Sequence, residues 1–194
     1  RKYAQPHNNL GNIYFNQGSL DKARMEYEEA LRIKPDYALA HNGLGNIYNR
    51  MGDLDKAMEE FRKSLYYDSR YTPALINLGV NFAYEKLGKQ TEAINEYNVV
   101  IRLDPNNLNA LDALCSLYKG LGLADSAINA FQRIIILSPD VVDVHKNLIF
   151  LYLENKNDKE MSQYYLKELL RIDPSQAQND DIKQVLERLR LSRN

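Results

Sequence analysis

Apolar residues recur along this chain with two nested periods. Within short windows they fall at i, i+3, i+4 and i+7, the spacing of an amphipathic helix. Over longer distances a leucine returns at Leu10, Leu44, Leu78, Leu114 and Leu148, in steps of 34, 34, 36 and 34 residues. The octapeptide at residues 7–14, HNNLGNIY, comes back almost letter for letter at 41–48 as HNGLGNIY. A near-fixed period of this size marks helix pairs that stack on one another, because one pair alone cannot bury its apolar face. The predicted fold class is all-α: a right-handed α-solenoid of five helix-turn-helix units at about 4–37, 38–71, 72–107, 108–141 and 142–175. A capping helix is predicted over about 180–192, where Ile182, Val185, Leu186 and Leu189 form one apolar stripe.

The positions around each leucine divide the work of packing. A small residue follows it (Gly11, Gly45, Gly79, Cys115), so that the partner helix can approach closely. Ala23, Ala57, Ala93 and Ala127 do the same from the second helix. Tyr27, Phe61, Tyr97 and Phe131, four residues further on, fill the space between neighbours. Gly18, Gly52, Gly88 and Gly122 mark the turns between helices, and Pro35, Pro105, Pro139 and Pro174 end the second helices. Two irregularities stand out. The third unit carries two extra residues within 83–87, which predicts a longer first helix or a bulged turn. The fifth unit carries one extra residue and lacks the glycine turn, which predicts a longer, looser loop over 154–158.

The run His7-x-x-Leu10-Gly11-x-x-Tyr14, then Ala23-x-x-x-Tyr27, then Pro35, resembles the tetratricopeptide repeat family. The second unit matches equally well, with Ser69 in place of the proline. The resemblance covers roughly residues 4–175. The first aromatic of the family pattern is here His7, His41, Leu75, Leu111 and His145. The resemblance implies a non-catalytic protein–protein interaction scaffold that holds a peptide or protein segment in a groove lined by the first helices.

Composition narrows the partner. Lys and Arg number 25 against 26 Asp and Glu, a net charge of −1, so nothing points to nucleic acid. No apolar run is long enough for direct membrane insertion. Cys115 is the only cysteine, which excludes an internal disulfide framework and fits a reducing compartment such as the cytoplasm. The chain opens on Arg1 rather than Met, and the expectation is a piece of a longer protein. No catalytic motif, metal site or cofactor site is expected. His7 and His41 fall one repeat apart, too far to share a zinc ion, and read as replacements for a packing aromatic. Charged residues from 55 to 63 read as a solvated face. Of Tyr66 and Tyr67, one ring is expected to pack and the other to be exposed.

The candidate binding residues come from helix geometry. Sites two before, two after and five after each leucine point away from the packing face, and the residue just before it borders the same side. In the first two units these positions give Asn8, Asn9 and Asn12, then Asn42, Asn46 and Asn49. The third unit gives Ile76, Asn77 and Val80. The fourth gives Asp112 and Lys119, and the fifth Lys146, Asn147 and Phe150. Phe15 and Leu153 occupy the same class of site. The groove is expected to run from asparagine-rich through apolar to charged. An amide offers both a donor and an acceptor, so a row of them can pair with an extended backbone whatever its side chains. Asn9, Asn77 and Asn147 resemble the asparagine ladder in the repeats of O-linked N-acetylglucosamine transferase, interrupted here by Gly43 and Ala113. The carboxylate clamp of co-chaperone repeats, which needs Lys, Asn and Arg at groove sites, fits poorly: Asn12 matches, but Asn8, Gly43, Pro73 and Asn77 replace most of the rest. Two further readings remain: a self-assembling homo-oligomer, or the substrate-recruiting arm of a larger enzyme.

Overall fold

The computed structural model describes residues 3–84 and 89–191. Those residues form eleven α-helices and no strand. Six helices belong to one compact unit, Arg1–Pro105: α1 (Ala4–Asn16), α2 (Leu20–Ile33), α3 (Ala38–Arg50), α4 (Leu54–Tyr67), α5 (Thr72–Tyr84) and α6 (Gln90–Leu103). Five belong to a second, Asn106–Asn194: α7 (Leu108–Gly120), α8 (Ala124–Leu137), α9 (Val142–Phe150), α10 (Lys159–Ile172) and α11 (Asp180–Leu191).

Local chemistry sets where the helices stop. Gly18, Gly52 and Gly122 sit at φ +76°, +78° and +70°, a conformation that a side chain would strain. Asp53 caps α4 by accepting the Lys56 N–H at 3.2 Å, and Asn107 caps α7 by accepting the Ala110 N–H at 3.1 Å. The predicted bulge of the third unit concerns residues that include 85–88, which lie outside the described ones.

In the first unit, α1 with α2, α3 with α4, and α5 with α6 pack as hairpins. Each second helix then packs on the first helix of the next hairpin, α2 on α3 and α4 on α5. The contact that sets the spacing is aromatic on glycine. The Tyr27 ring lies so close to Gly11 that a Cβ there would meet it at 2.7 Å. The other side of the same ring faces Gly43 of the next hairpin, where a Cβ would meet it at 2.5 Å. Phe61 lies against Gly45 in the same way, and Tyr97 against Gly79. Gly43 is therefore a packing residue as well as a gap in the asparagine row.

One apolar position shows what stacking buries. Ile47, three after its leucine, is 1% exposed in a cluster with Tyr27, Ala30 and Leu44. Its counterpart Ile13, on α1, the first described helix, is 52% exposed. The next counterpart is Asn81, which is 1% exposed, and neither atom of its amide has a partner. The α4 residue that corresponds to Ala30 is likewise polar here. It is Ser64, fully buried, with its hydroxyl donating to the Ala38 carbonyl at 2.8 Å. The second and third hairpins thus meet through a more polar seam than the first and second.

In the second unit α7 pairs with α8, and α9 with α10. The fifth repeat differs from expectation. Its extra residue makes no looser loop; α9 runs directly into a π-helical turn, Leu151–Asn155. A π turn absorbs one residue without breaking the helix. Leu153, expected on the outer face, is buried by it. Asn157, at φ +50°, takes the left-handed role of the missing glycine. A 3-10 turn, Pro174–Gln178, leads into α11, which buries Ile182, Val185 and Leu189 and keeps charged residues outward. Arg188 ties it back to Glu154 at 3.2 Å.

Two substitutions should move stability in opposite directions. Gly43→Ala forces the Tyr27 ring to shift and should cost about 1–3 kcal/mol in urea unfolding. Asn81→Ile copies Ile47, removes two unpaired buried polar atoms, and should add about 1–3 kcal/mol.

Candidate functional site

The first helices of the first unit form one side of it, since α1 meets α3 and α3 meets α5. This side is nearly free of charge. Residues 3–17 contain no Asp, Glu, Lys or Arg, α5 contains none, and α3 contributes only Arg50. Arg50 is already engaged: its guanidinium lies over the Phe15 ring at 4.6 Å and donates to the Phe15 carbonyl at 3.1 Å. Phe15 is therefore half-buried under a neighbour's side chain, not open as its position predicts.

The asparagines of this side are tied together. Asn77 of α5 donates from Nδ2 to Asn42 Oδ1 at 3.1 Å and to Asn46 Oδ1 at 2.9 Å, both on α3. One repeat earlier the residue equivalent to Asn77 is Gly43, which has no side chain to donate. There the second helix supplies the hydrogen bond: the Tyr27 hydroxyl donates to Asn12 Oδ1 at 2.7 Å. The position equivalent to Tyr27 in the next hairpin is Phe61, which lacks a hydroxyl. Tyr27 with Gly43, and Phe61 with Asn77, are thus two ways of holding the same amide.

Asn9 and Asn12 are exposed, and Asn46, Asn49, Asn77, Ile76 and Val80 are half-buried. Two expected surface residues are not open: Asn8 is 2% and Asn42 7% exposed. The position two before the leucine lies in the seam toward the next first helix, as the Asn77–Asn42 bond shows. Asn8 Oδ1 is buried there without a partner. In the second unit, Asp112 and Lys119 are exposed, while Lys146, Asn147 and Phe150 are half-buried. Lys119 Nζ donates to Asn147 Oδ1, and Asn147 Nδ2 donates to the Asp143 carbonyl at 2.8 Å.

The histidines take part in pairs that the sequence reading missed. His7 Nδ1 lies 2.7 Å from Glu26 Oε2, and His41 Nδ1 lies 2.7 Å from Glu60 Oε2. His41 Nε2 also meets the Pro35 carbonyl at 3.1 Å, and its ring stacks on Tyr67. Tyr66 beside it is exposed, as expected of one ring of that pair. Glu60 is consequently not part of a solvated face. Burial works to raise its carboxyl, but hydrogen bonds from His41 and Lys63 hold it below its ordinary value. The signal was present as a repeat: Glu26, Glu60 and Glu96 each stand three after the packing alanine. Where the first-helix residue is Leu75 instead of histidine, Glu96 is raised by burial, only partly opposed by Arg62. In the fifth repeat His145 meets the Tyr165 ring instead of a carboxylate, and its Nδ1 is buried without a partner.

Among the described residues no group of three His, Cys, Asp or Glu is placed to hold a metal ion. No described helix is long and apolar enough to cross a membrane. The buried Cys115 thiol is pushed up to about 12, by burial first and then by Asp112. It should therefore react with iodoacetamide at least about tenfold more slowly in the native chain than in urea, measured at pH 8. The Tyr27 hydroxyl is also pushed up to about 12, by burial first and then by Tyr71. Between pH 10 and 12 an unfolded tyrosine loses its proton while Tyr27 keeps it, so stability falls with rising pH across that window. Tyr27→Phe should flatten this slope in urea unfolding at pH 9.5 to 11.

A family model described as TPR repeat matches residues 11–52, and a tetratricopeptide repeat model matches 38–71 and 73–107. Tetratricopeptide repeat protein 14 of Mus musculus is 28% identical over 117 residues, 57% of this chain. The match spans only 15% of that protein's length. The crystal structure of MamA protein superposes with a TM-score of 0.74 at 22% identity, covering 91% of this chain and 95% of that one. YrrB, a TPR protein with an unusual peptide-binding site, superposes with a TM-score of 0.72 at 22% identity, covering 95% of this chain and 92% of that one. The matched repeats and the shared all-helical fold make this chain a tetratricopeptide repeat protein.

Proposed function

We propose that this chain is a non-catalytic interaction scaffold, and that the α1, α3 and α5 side of the first unit binds an extended segment of a partner protein. The observation that carries the reading is the Asn77–Asn42–Asn46 network, with Tyr27 holding Asn12 one repeat away. Asparagine is a mediocre helix former, yet four of these side chains, Asn12, Asn42, Asn46 and Asn77, crowd one side of three helices. They are held in place by their own hydrogen bonds, so little rotamer entropy remains to be lost on binding. The half-buried Ile76 and Val80 beside them add an apolar anchor. The peptide-binding site named for YrrB, on the same fold, supports the reading by analogy.

A second reading has its own observation. Ile13 is open where Ile47 is covered, so the outer side of α1 has the character of a stacking surface, with no described helix upon it. Two copies could meet there. Light scattering across a concentration series tests this: a species that stays monomeric at high concentration removes it.

For the binding reading, Asn46→Ala with Asn77→Ala should weaken capture of a partner protein from cell extract by roughly tenfold or more. Circular dichroism should remain that of a folded helical protein. Unchanged capture by the folded double variant would remove this side of the molecule as the binding face.

A further inference from the structure

Resting on that binding reading, we infer that the first unit's asparagine face presents hydrogen-bond donors and selects an uncharged, proline-rich segment in the polyproline II conformation. The polarity follows from where the amide oxygens are spent. Asn12 Oδ1 accepts the Tyr27 hydroxyl, and Asn42 and Asn46 Oδ1 accept the Asn77 amide. Asn8 Oδ1 is turned into the protein as well. The oxygens of Asn12 and Asn46 each already accept one hydrogen bond and are oriented by it, which leaves Nδ2, a donor with two hydrogens, as the larger unused capacity. An exposed donor on α1 and a half-buried one on α3, one repeat apart, call for acceptors in a ligand.

Charge decides which acceptors. Residues 3–17 and α5 contain no Asp, Glu, Lys or Arg, and the one histidine there, His7, faces Glu26. Arg50 is spent on Phe15, and His41 on Glu60 and Pro35. With Arg50, tied to Phe15 at the end of α3, the only Lys or Arg among the described residues of this face, there is little Coulombic reward for carboxylates or phosphates, and neutral carbonyl oxygens are the better match. Proline residues supply carbonyls with no competing N–H. Spacing agrees. Helices in contact lie about 8–10 Å apart, and one turn of polyproline II, three residues, advances about 9 Å. Carbonyls on one edge of such a segment therefore recur at the interval of equivalent donors on successive first helices. A β-strand repeats its edge about every 7 Å and falls out of step. Pyrrolidine rings on the opposite edges have Ile76 and Val80 to pack on.

The test uses the full chain and a capped, fluorescent oligoproline, with a capped glycine–serine peptide and a capped oligoglutamate as comparators. Oligoproline should bind at least about tenfold more tightly than either, with little dependence on salt. Asn12→Asp and Asn46→Asp keep the oxygen that accepts from Tyr27 or Asn77 but remove the donor, so each should weaken oligoproline binding by roughly tenfold. Asn12 is exposed, so its variant is expected to keep the parent melting temperature. The opposite polarity, in which the amides are flipped and accept from ligand N–H groups, predicts that the glycine–serine peptide, which has N–H groups, binds more tightly than oligoproline, which has none, and that the Asp variants bind it as well as the parent does. That result overturns the inference, and so does equal or tighter binding of either comparator. If instead the Asn46→Ala, Asn77→Ala variant still captures its partner from extract, the binding face itself is misplaced, which is a separate failure.

Discussion

The close approach of an aromatic ring to a residue without a side chain sets the geometry of the first unit. Tyr27 lies between Gly11 of its own hairpin and Gly43 of the next, and Phe61 and Tyr97 lie against Gly45 and Gly79. A ring at that distance from a backbone fixes how near two helices can come, because protein interiors resist both voids and overlap. The stacking of α2 on α3, and the burial of Ile47, depend on it.

The same contact reaches the surface. Because Tyr27 passes close to Gly43, its hydroxyl arrives beside Asn12 and turns that amide. Where the ring is Phe61 there is no hydroxyl, and Asn77 takes over the task from the neighbouring helix. Core and the proposed binding face are therefore coupled: a change at position 27 is felt at position 12. The histidine–glutamate pairs show a similar link on another side of the hairpins. His7 and His41 each reach a carboxylate on the second helix, whereas Leu75 leaves Glu96 raised by burial.

Stability and function pull apart at the seam between the second and third hairpins. Asn81 occupies a position that is isoleucine one repeat earlier, and its amide is buried without partners. It stands four residues after Asn77, on the helix that also carries Ile76 and Val80. A buried unpaired amide costs stability, so the seam beside the proposed binding face is weaker than the seam between the first and second hairpins. Such regions open first in native-state exchange.

The period, the helix boundaries and the packing alanines were legible in the sequence, because they rest on local rules: 3.6-residue spacing, glycine turns and proline stops. So was the general location of a polar row on the first helices. Burial within that row was not. Asn8 and Asn42 share a helical direction with open sites, and only the neighbouring helix covers them. The roles of Gly43 and Glu60 were equally out of reach, since each is defined by a residue on another helix. Nor could the sequence show that an extra residue in the fifth repeat would enter a π turn, with Asn157 standing in for glycine. Sequence alone determined that helix pairs repeat and where each begins. Tertiary structure decided which amides are held, by which donors, and with which atom turned outward, because hydrogen-bond direction is a property of the pair and not of the residue.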